Sequence, residues 1–272
     1  MLIHKKSWST TIVLAASACF FVLPLLWMVF ASLKNTNEVF SYNWLPTIWK
    51  WENYRHVWGD SQISMLKSYY NSLIIVAFGS LGQLTVASLA AYAFAKINLR
   101  GKNIIFTLFL ASLMIPTQVT IIPRFMLFFE MGLYNTLWSI ILPAWFSGSA
   151  IFLLRQFYLT LPNDLMEAAK IDGASHFKIF SRIMMPLTKP AMVSVLVLSF
   201  ILLWNEYLDP LVFLTDKKMY TVSLAIRFYL FDDAQRYELT MAAATSAIVP
   251  IAAVFVFCQK YFVEGIATSG LK

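Results

Sequence analysis

Residues 161–190, LPNDLMEAAKIDGASHFKIFSRIMMPLTKP, form a polar island between two long apolar runs, where charges of both signs, an acidic helix start and a glycine fall together. Asn163 and Asp164 are residue types that cap helix N-termini, and Glu167 follows Asp164 by three positions, the spacing of a capping box. Met166, Ala168 and Ala169 share a face of little bulk. Gly173 breaks this helix, and Ser175 is placed to cap a second, in which Phe177, Phe180, Ile183 and Met184 recur at three- and four-residue spacing. Pro186 and Pro190 close the unit. The pattern predicts two short helices bent at a glycine and held at a membrane surface by the spans on either side. Such a unit is either a hairpin joining two spans or a docking knob, with small residues that admit a partner and Glu167 at its lip.

The rest of the chain sets that island in a membrane. At 59% hydrophobic and 13% charged residues, with a mean hydropathy of +0.67, the sequence is too apolar for a soluble domain of 272 residues. Six spans are expected, over 7–33, 71–95, 104–123, 131–154, 190–209 and 239–259. The first is long enough to cross a core of roughly 30 Å at about 1.5 Å per residue. A signal peptide is its alternative, but the apolar run continues unbroken past Cys19, which favours a retained span bent at Pro24. Gly79, Gly82 and Ala87 in the second span suit close approach of another helix. Segment 34–70 carries four Trp and Pro46 and reads as an interfacial or external loop, 124–130 as a brief loop, and 215–238 as a second substantial loop.

Charge fixes the expected orientation. Placing both termini, the 96–102 loop, Arg155 and the 161–190 island on one side gives that side twelve basic and four acidic residues, against nine and ten on the other. The positive-inside rule then puts both termini and the island in the cytoplasm. The overall charge of +7 is scattered through short loops, so membrane orientation explains it and no nucleic-acid partner is implied.

Polar residues near the spans mark a candidate solute path. Gln118 lies beside Pro116, where a broken helix must be satisfied by protein or water, so it is either packing glue or path-lining. Asn205, Glu206 and Tyr207 end the fifth span; Glu206 falls roughly 24 Å along a helix from Pro190. It is either anchored in headgroup water or a pore-mouth group for a polyhydroxylated solute. The chain's own chemistry is sparse. The sequence has no G-x-x-x-x-G-K-[ST], H-E-x-x-H or G-x-S-x-G, its His residues (His4, His56, His176) are scattered through loops, and Cys19 and Cys258 have no metal spacing. No enzyme activity, cofactor or metal is expected. Ionisable groups able to relay protons through the spans are lacking too, so energy for transport has to come from elsewhere.

Glu167-Ala168-Ala169, Asp172-Gly173-Ala174, Phe180, Ile183 and Pro186 resemble the signature loop of permease subunits of ATP-binding-cassette importers, with Met185 where leucine is usual. Met114-Ile115-Pro116 to Ile122-Pro123, Trp204-Asn205-Glu206-Tyr207 with Asp209-Pro210-Leu211, and the tail from Tyr261 are similar to the carbohydrate-uptake, maltose-permease-like branch. The resemblance implies an all-α membrane protein of six transmembrane helices, the type I importer permease fold, in one domain over 1–272. It makes 161–186 a cytoplasmic coupling helix that seats in an ATPase subunit through Glu167, Ala168, Ala169, Asp172, Gly173 and Pro186. It also implies a second permease subunit of different sequence, an ATPase dimer, an extracytoplasmic solute-binding protein, and residence in a prokaryotic inner membrane. The rival expectation is a self-contained carrier or channel.

Overall fold

A computed structural model of the chain describes residues 8–231 and 236–269, with side chains as far as Gln259. The basic residues Lys5 and Lys6, the tail from Tyr261 as a contact surface, and Lys272 lie outside what is described. All regular structure among the described residues is helical. Two units emerge: one of the residues up to Leu66 with Ala225–Val249, the other of Lys67–Leu224 with the residues from Pro250.

In the first unit, α1 (Trp8–Ala31) is apolar all round and exposed along residues 8–26. Thr36–Glu38 forms a 3₁₀ turn and α2 spans Glu52–Gly59. The start of α14 (Tyr237–Ser269) closes on this segment: Glu238 accepts from Thr36 Oγ1 at 2.9 Å, and Trp58 Nε1 donates to Ser246 Oγ at 3.2 Å. Tyr229, at the end of α13 (Val222–Leu230), donates to the Ile63 carbonyl and to Asp60 Oδ2, both at 3.2 Å.

The second unit is organised on α3 (Met65–Lys96). Gly79 receives Leu203, and Gly82 receives the indole of Trp145, whose Nε1 donates to the Phe78 carbonyl at 3.1 Å. Small residues thus admit one helix partner and one bulky aromatic, the close approach that their placement in the sequence suggests. Trp204 closes the far end of α11 (Lys189–Trp204), stacked on Phe200 at 5.7 Å and edge-on to Tyr69 at 5.3 Å. The turn before α13 is tied to α3 by Asn71, which donates to the Lys218 and Tyr220 carbonyls, and by Ser72, which accepts from the Val222 N–H.

Several expected boundaries differ. The third span, 104–123, is not one helix: α4 (Lys102–Ser112) stops, residues 113–120 run through successive turns, and α5 (Ile121–Glu130) occupies the expected 124–130 loop. Pro116 supplies no N–H to continue α4, and the turns hold instead through short bonds such as Val119 N–H to the Pro116 carbonyl. The fourth span, expected over 131–154, begins only at α6 (Trp138–Ala144) and continues as α7 (Gly148–Thr160), with the Ser147 hydroxyl capping α7. Gly132 and Asn135, at φ +68° and +56°, turn the chain before α6. The fifth helix ends at Trp204, short of the expected 209. Among the described residues four helices are long and apolar enough to span a membrane, or five if the bent pair His176–Leu187 and Lys189–Trp204 counts as one.

Candidate functional site

The island at 161–190 folds as a bent elbow. Helix α8 (Asp164–Ile171) starts without the expected capping box. Asn163 keeps helical dihedrals and makes no side-chain cap; its Oδ1 instead accepts from Lys96 Nζ at 2.7 Å, which also reaches the Leu161 carbonyl at 2.6 Å. The end of α8 follows the sequence closely. Gly173 sits at φ +76°, Ala174 N–H bonds the Ala169 carbonyl at 2.9 Å and Gly173 N–H the Lys170 carbonyl at 3.0 Å, a Schellman closure. Ser175 then caps α9 (His176–Ile179) by accepting from the Lys178 N–H.

Past α9 the helix widens to a π turn at Phe180–Met184 and tightens again in α10 (Met185–Leu187). In a regular helix the Pro186 ring would press on the Arg182 carbonyl, and a widened turn relieves that clash. Thr188, fully buried, bonds the Met184 and Met185 carbonyls at 3.0 Å through its hydroxyl, and the chain enters α11 at a 77° bend. The π turn also shifts the inward face. Ile179, Phe180 and Met184 are buried, whereas Phe177, expected on that face, is 71% exposed.

The elbow is joined to the helices beneath it. Met166, Ala169, Ile179, Phe180 and Met184 share one core with Ala87, Ala91 and Tyr92 of α3, Leu154 and Tyr158 of α7, and Ala191 and Val195 of α11. Tyr92 packs edge-on to Tyr158 at 5.9 Å and against Phe180 at 5.2 Å, while the Arg155 guanidinium lies 4.1 Å above the Phe106 ring. Glu167, Ala168, Asp172, Gly173 and Pro186 stay exposed, and Ile171 stands 87% open. Of the six expected contact residues only Ala169 is buried. The elbow therefore has a greased inner side and an open outer side on which Ile171 and Phe177 are the most exposed large apolar side chains. Replacing Lys96 with methionine removes both ties to residues 161–163; the thermal midpoint in detergent is expected to fall, with Lys96→Arg retaining most of it.

The path candidates lie apart from the elbow in sequence. Gln118 is exposed in the turns between α4 and α5. Asn205, also exposed, donates to the Ile201 carbonyl at 2.8 Å. Glu206 is occupied: its Oε1 accepts the Leu208 and Asp209 N–H groups at 3.0 and 3.2 Å, capping α12 (Leu208–Phe213), and its carbonyl accepts from Ser223 Oγ at 2.5 Å. Tyr207 is the residue preceding α12 and is partly open. Asn205, Glu206 and Tyr207 are consecutive before α12, and α5, which follows the turns carrying Gln118, meets α12 through Arg124, which pairs with Asp209 and lies 5.1 Å over Phe213. That ion pair was missed at the sequence level, although Arg124 is the sole charged residue between Lys102 and Glu130 and so calls for a partner. Cutting the pair with Arg124→Leu leaves Asp209 largely buried and unpaired, an expected cost of about 2–4 kcal/mol read as a lower thermal midpoint in detergent, with partial recovery in Arg124→Leu/Asp209→Leu. Among the described residues no group of three or more His, Cys, Asp or Glu side chains is placed to hold a metal ion.

Comparison with known proteins accounts for this arrangement. Residues 83–268 match the family described as binding-protein-dependent transport system inner membrane component. The chain is similar to the arabinooligosaccharides transport system permease protein AraQ of Bacillus subtilis, 32% identical with 93% of this chain and 91% of the relative covered. Melibiose/raffinose/stachyose import permease protein MelC, also of Bacillus subtilis, is 30% identical, with 96% and 95% covered. The sn-glycerol-3-phosphate transport system permease protein UgpE of Yersinia enterocolitica is 32% identical, with 89% and 88% covered. In fold, the chain superposes with a TM-score of 0.83 on a chain of a bacterial ABC transporter that imports alginate, at 22% identity over 93% of this chain and 95% of that one. With the family's residues running through the elbow and most of the helices, this chain belongs to the binding-protein-dependent transport system inner membrane components.

Proposed function

We infer that the chain is the membrane permease subunit of an ATP-driven, binding-protein-dependent importer for an oligosaccharide or related polyhydroxylated solute. The relatives are importer permeases whose names give arabinooligosaccharides, melibiose, raffinose, stachyose and glycerol phosphate, all rich in hydroxyl groups. In this reading the chain forms one domain of six spans, the third broken at residues 113–120, with the elbow and both termini in the cytoplasm. A second, different permease completes the pore, an ATPase dimer seats against Glu167, Ala168, Asp172, Gly173 and Pro186, with Ala169 backing that surface from the core, and an external binding protein delivers the solute. Gln118, Asn205 and Tyr207 line the path and Glu206 shapes it by capping α12.

The observation that carries this reading is the two-sided elbow. Its inner face shares a close-packed core with α3, α7 and α11, so a push on the outer face shifts those helices as a body rather than dissipating in a loose loop. ATP-driven closure of the partner dimer would then turn the pore between inward- and outward-open states. The test is affinity purification of the chain from native membranes, followed by ATPase and proteoliposome uptake assays. An ATPase and a second permease should co-purify, and uptake should require ATP. Uptake by the chain alone, driven by an ion gradient, would establish the rival carrier instead.

A further inference from the structure

The loop after α1 is built inside out. Residues 40–51, FSYNWLPTIWKW, contain one charged side chain, Lys50, and leave Tyr42, Trp44, Leu45, Ile48, Trp49 and Trp51 open, Trp51 at 65%. The polar groups of Lys34, Glu38 and Asn53 are instead taken up by partners in the loop and its flanks, Lys34 and Asn53 being buried. Lys34 is fully buried, with Nζ donating to the Asn43 carbonyl at 2.5 Å. Glu38 Oε1 accepts from the Thr47 N–H at 2.7 Å and from the Thr47 hydroxyl, and these donors hold its carboxyl below the usual range, so it stays charged. Asn53, also buried, donates to the Ser32 and Lys34 carbonyls at 2.8 and 3.0 Å. In water this distribution is the wrong way round: burying an ammonium while exposing three indoles is costly on both counts.

The loop is also tied to the end of a lipid-facing helix. Lys50 N–H bonds the Leu33 carbonyl at 2.9 Å, and the Trp49 ring meets Phe30 edge-on at 6.3 Å. Residues 40–51 are thus held against the last turn of α1, the helix whose residues 8–26 stand exposed. Tryptophan and tyrosine are the side chains favoured where hydrocarbon meets headgroups, since each offers an apolar ring and a hydrogen-bonding tip.

We propose that residues 40–51 form an interfacial anchor whose partner is the lipid bilayer: the aromatic side chains lie at the headgroup boundary beside the end of α1, over a polar base of Lys34, Glu38 and Asn53. The anchor fixes the depth of α1 and holds the following segment at the membrane surface, whatever solute the pore carries.

The test places a bimane label at Tyr42→Cys or Ile48→Cys in a Cys19→Ser/Cys258→Ser background, with the purified complex in phosphatidylcholine nanodiscs. Both positions are open, so the substitutions leave the fold intact. Lipids brominated high on the acyl chain should cut emission at both positions by about twofold or more, as for a group at the acyl boundary, with little effect on a label at Arg100→Cys in the basic 96–102 loop. Labels at 42 and 48 that brominated lipid leaves unchanged overturn the proposal. If iodide quenches them the loop stands in water, and if neither quencher reaches them a protein covers it.

Discussion

Replacing Gly173 with valine is expected to reduce ATP-dependent uptake by more than tenfold while the subunit still inserts and assembles. A Cβ at this position meets nothing within 4 Å, so the penalty is conformational and not steric. At φ +76° a residue bearing a Cβ pays about 1–2 kcal/mol, more if β-branched, and each 1.4 kcal/mol corresponds to about a factor of ten in the population of the native turn. Loss of the turn frees the Ala174 and Gly173 N–H groups from α8 and separates α8 from α9. ATP hydrolysis by the assembled transporter should continue, uncoupled from uptake. Asparagine tolerates left-handed dihedrals, so Gly173→Asn should keep much of the uptake; equal failure of the two variants would point away from backbone conformation.

Gly82→Leu should cost about 3–5 kcal/mol, combining overpacking with a lost hydrogen bond. A Cβ there would collide with Trp145 Nε1, a clash that nothing short of moving the indole relieves. The indole would lose its bond to the Phe78 carbonyl and its edge contact with Trp138. Even Gly82→Ala should lower the thermal midpoint in detergent. Trp145→Leu should suppress most of the alanine penalty, a non-additivity that a double-mutant cycle detects. If the two changes add, the indole does not seat on Gly82.

The parts of the elbow governed by neighbouring residues were legible in the sequence. Gly173 and Ser175 do what their backbone and hydroxyl chemistry permits, and the structure has them where the pattern puts them. Asn163 was misread because its side chain is claimed by Lys96, a residue from another helix that no local rule can see. Phe177 was misplaced for a related reason: three- and four-residue spacing assumes a regular helix, and the π turn before Pro186 shifts the register so that Ile179 faces the core.

Hydropathy located the long apolar helices because they need only length and composition. It gave no sign of the break within 104–123, because an apolar run with Pro116 in its middle scores like an unbroken helix, whereas the backbone there runs through turns at 113–120. Glu206 shows the remaining difficulty. As a lone acid near the end of a helix it suggested a solute ligand or a headgroup anchor, and the structure gives its Oε1 to two backbone N–H groups at the start of α12. Arg124 and Asp209, 85 residues apart, meet only once the helices are assembled.

A crosslink from Ile171 tests most directly whether force enters through the outer side of the elbow. A photoreactive group attached at Ile171→Cys, the most open large apolar side chain of α8, should label in inverted membrane vesicles and join this chain to an ATPase subunit, with a yield that changes when ATP replaces ADP. Labelling of this position only from the outside of intact cells, or irradiation in inverted vesicles that captures no ATPase in either nucleotide state, would contradict it.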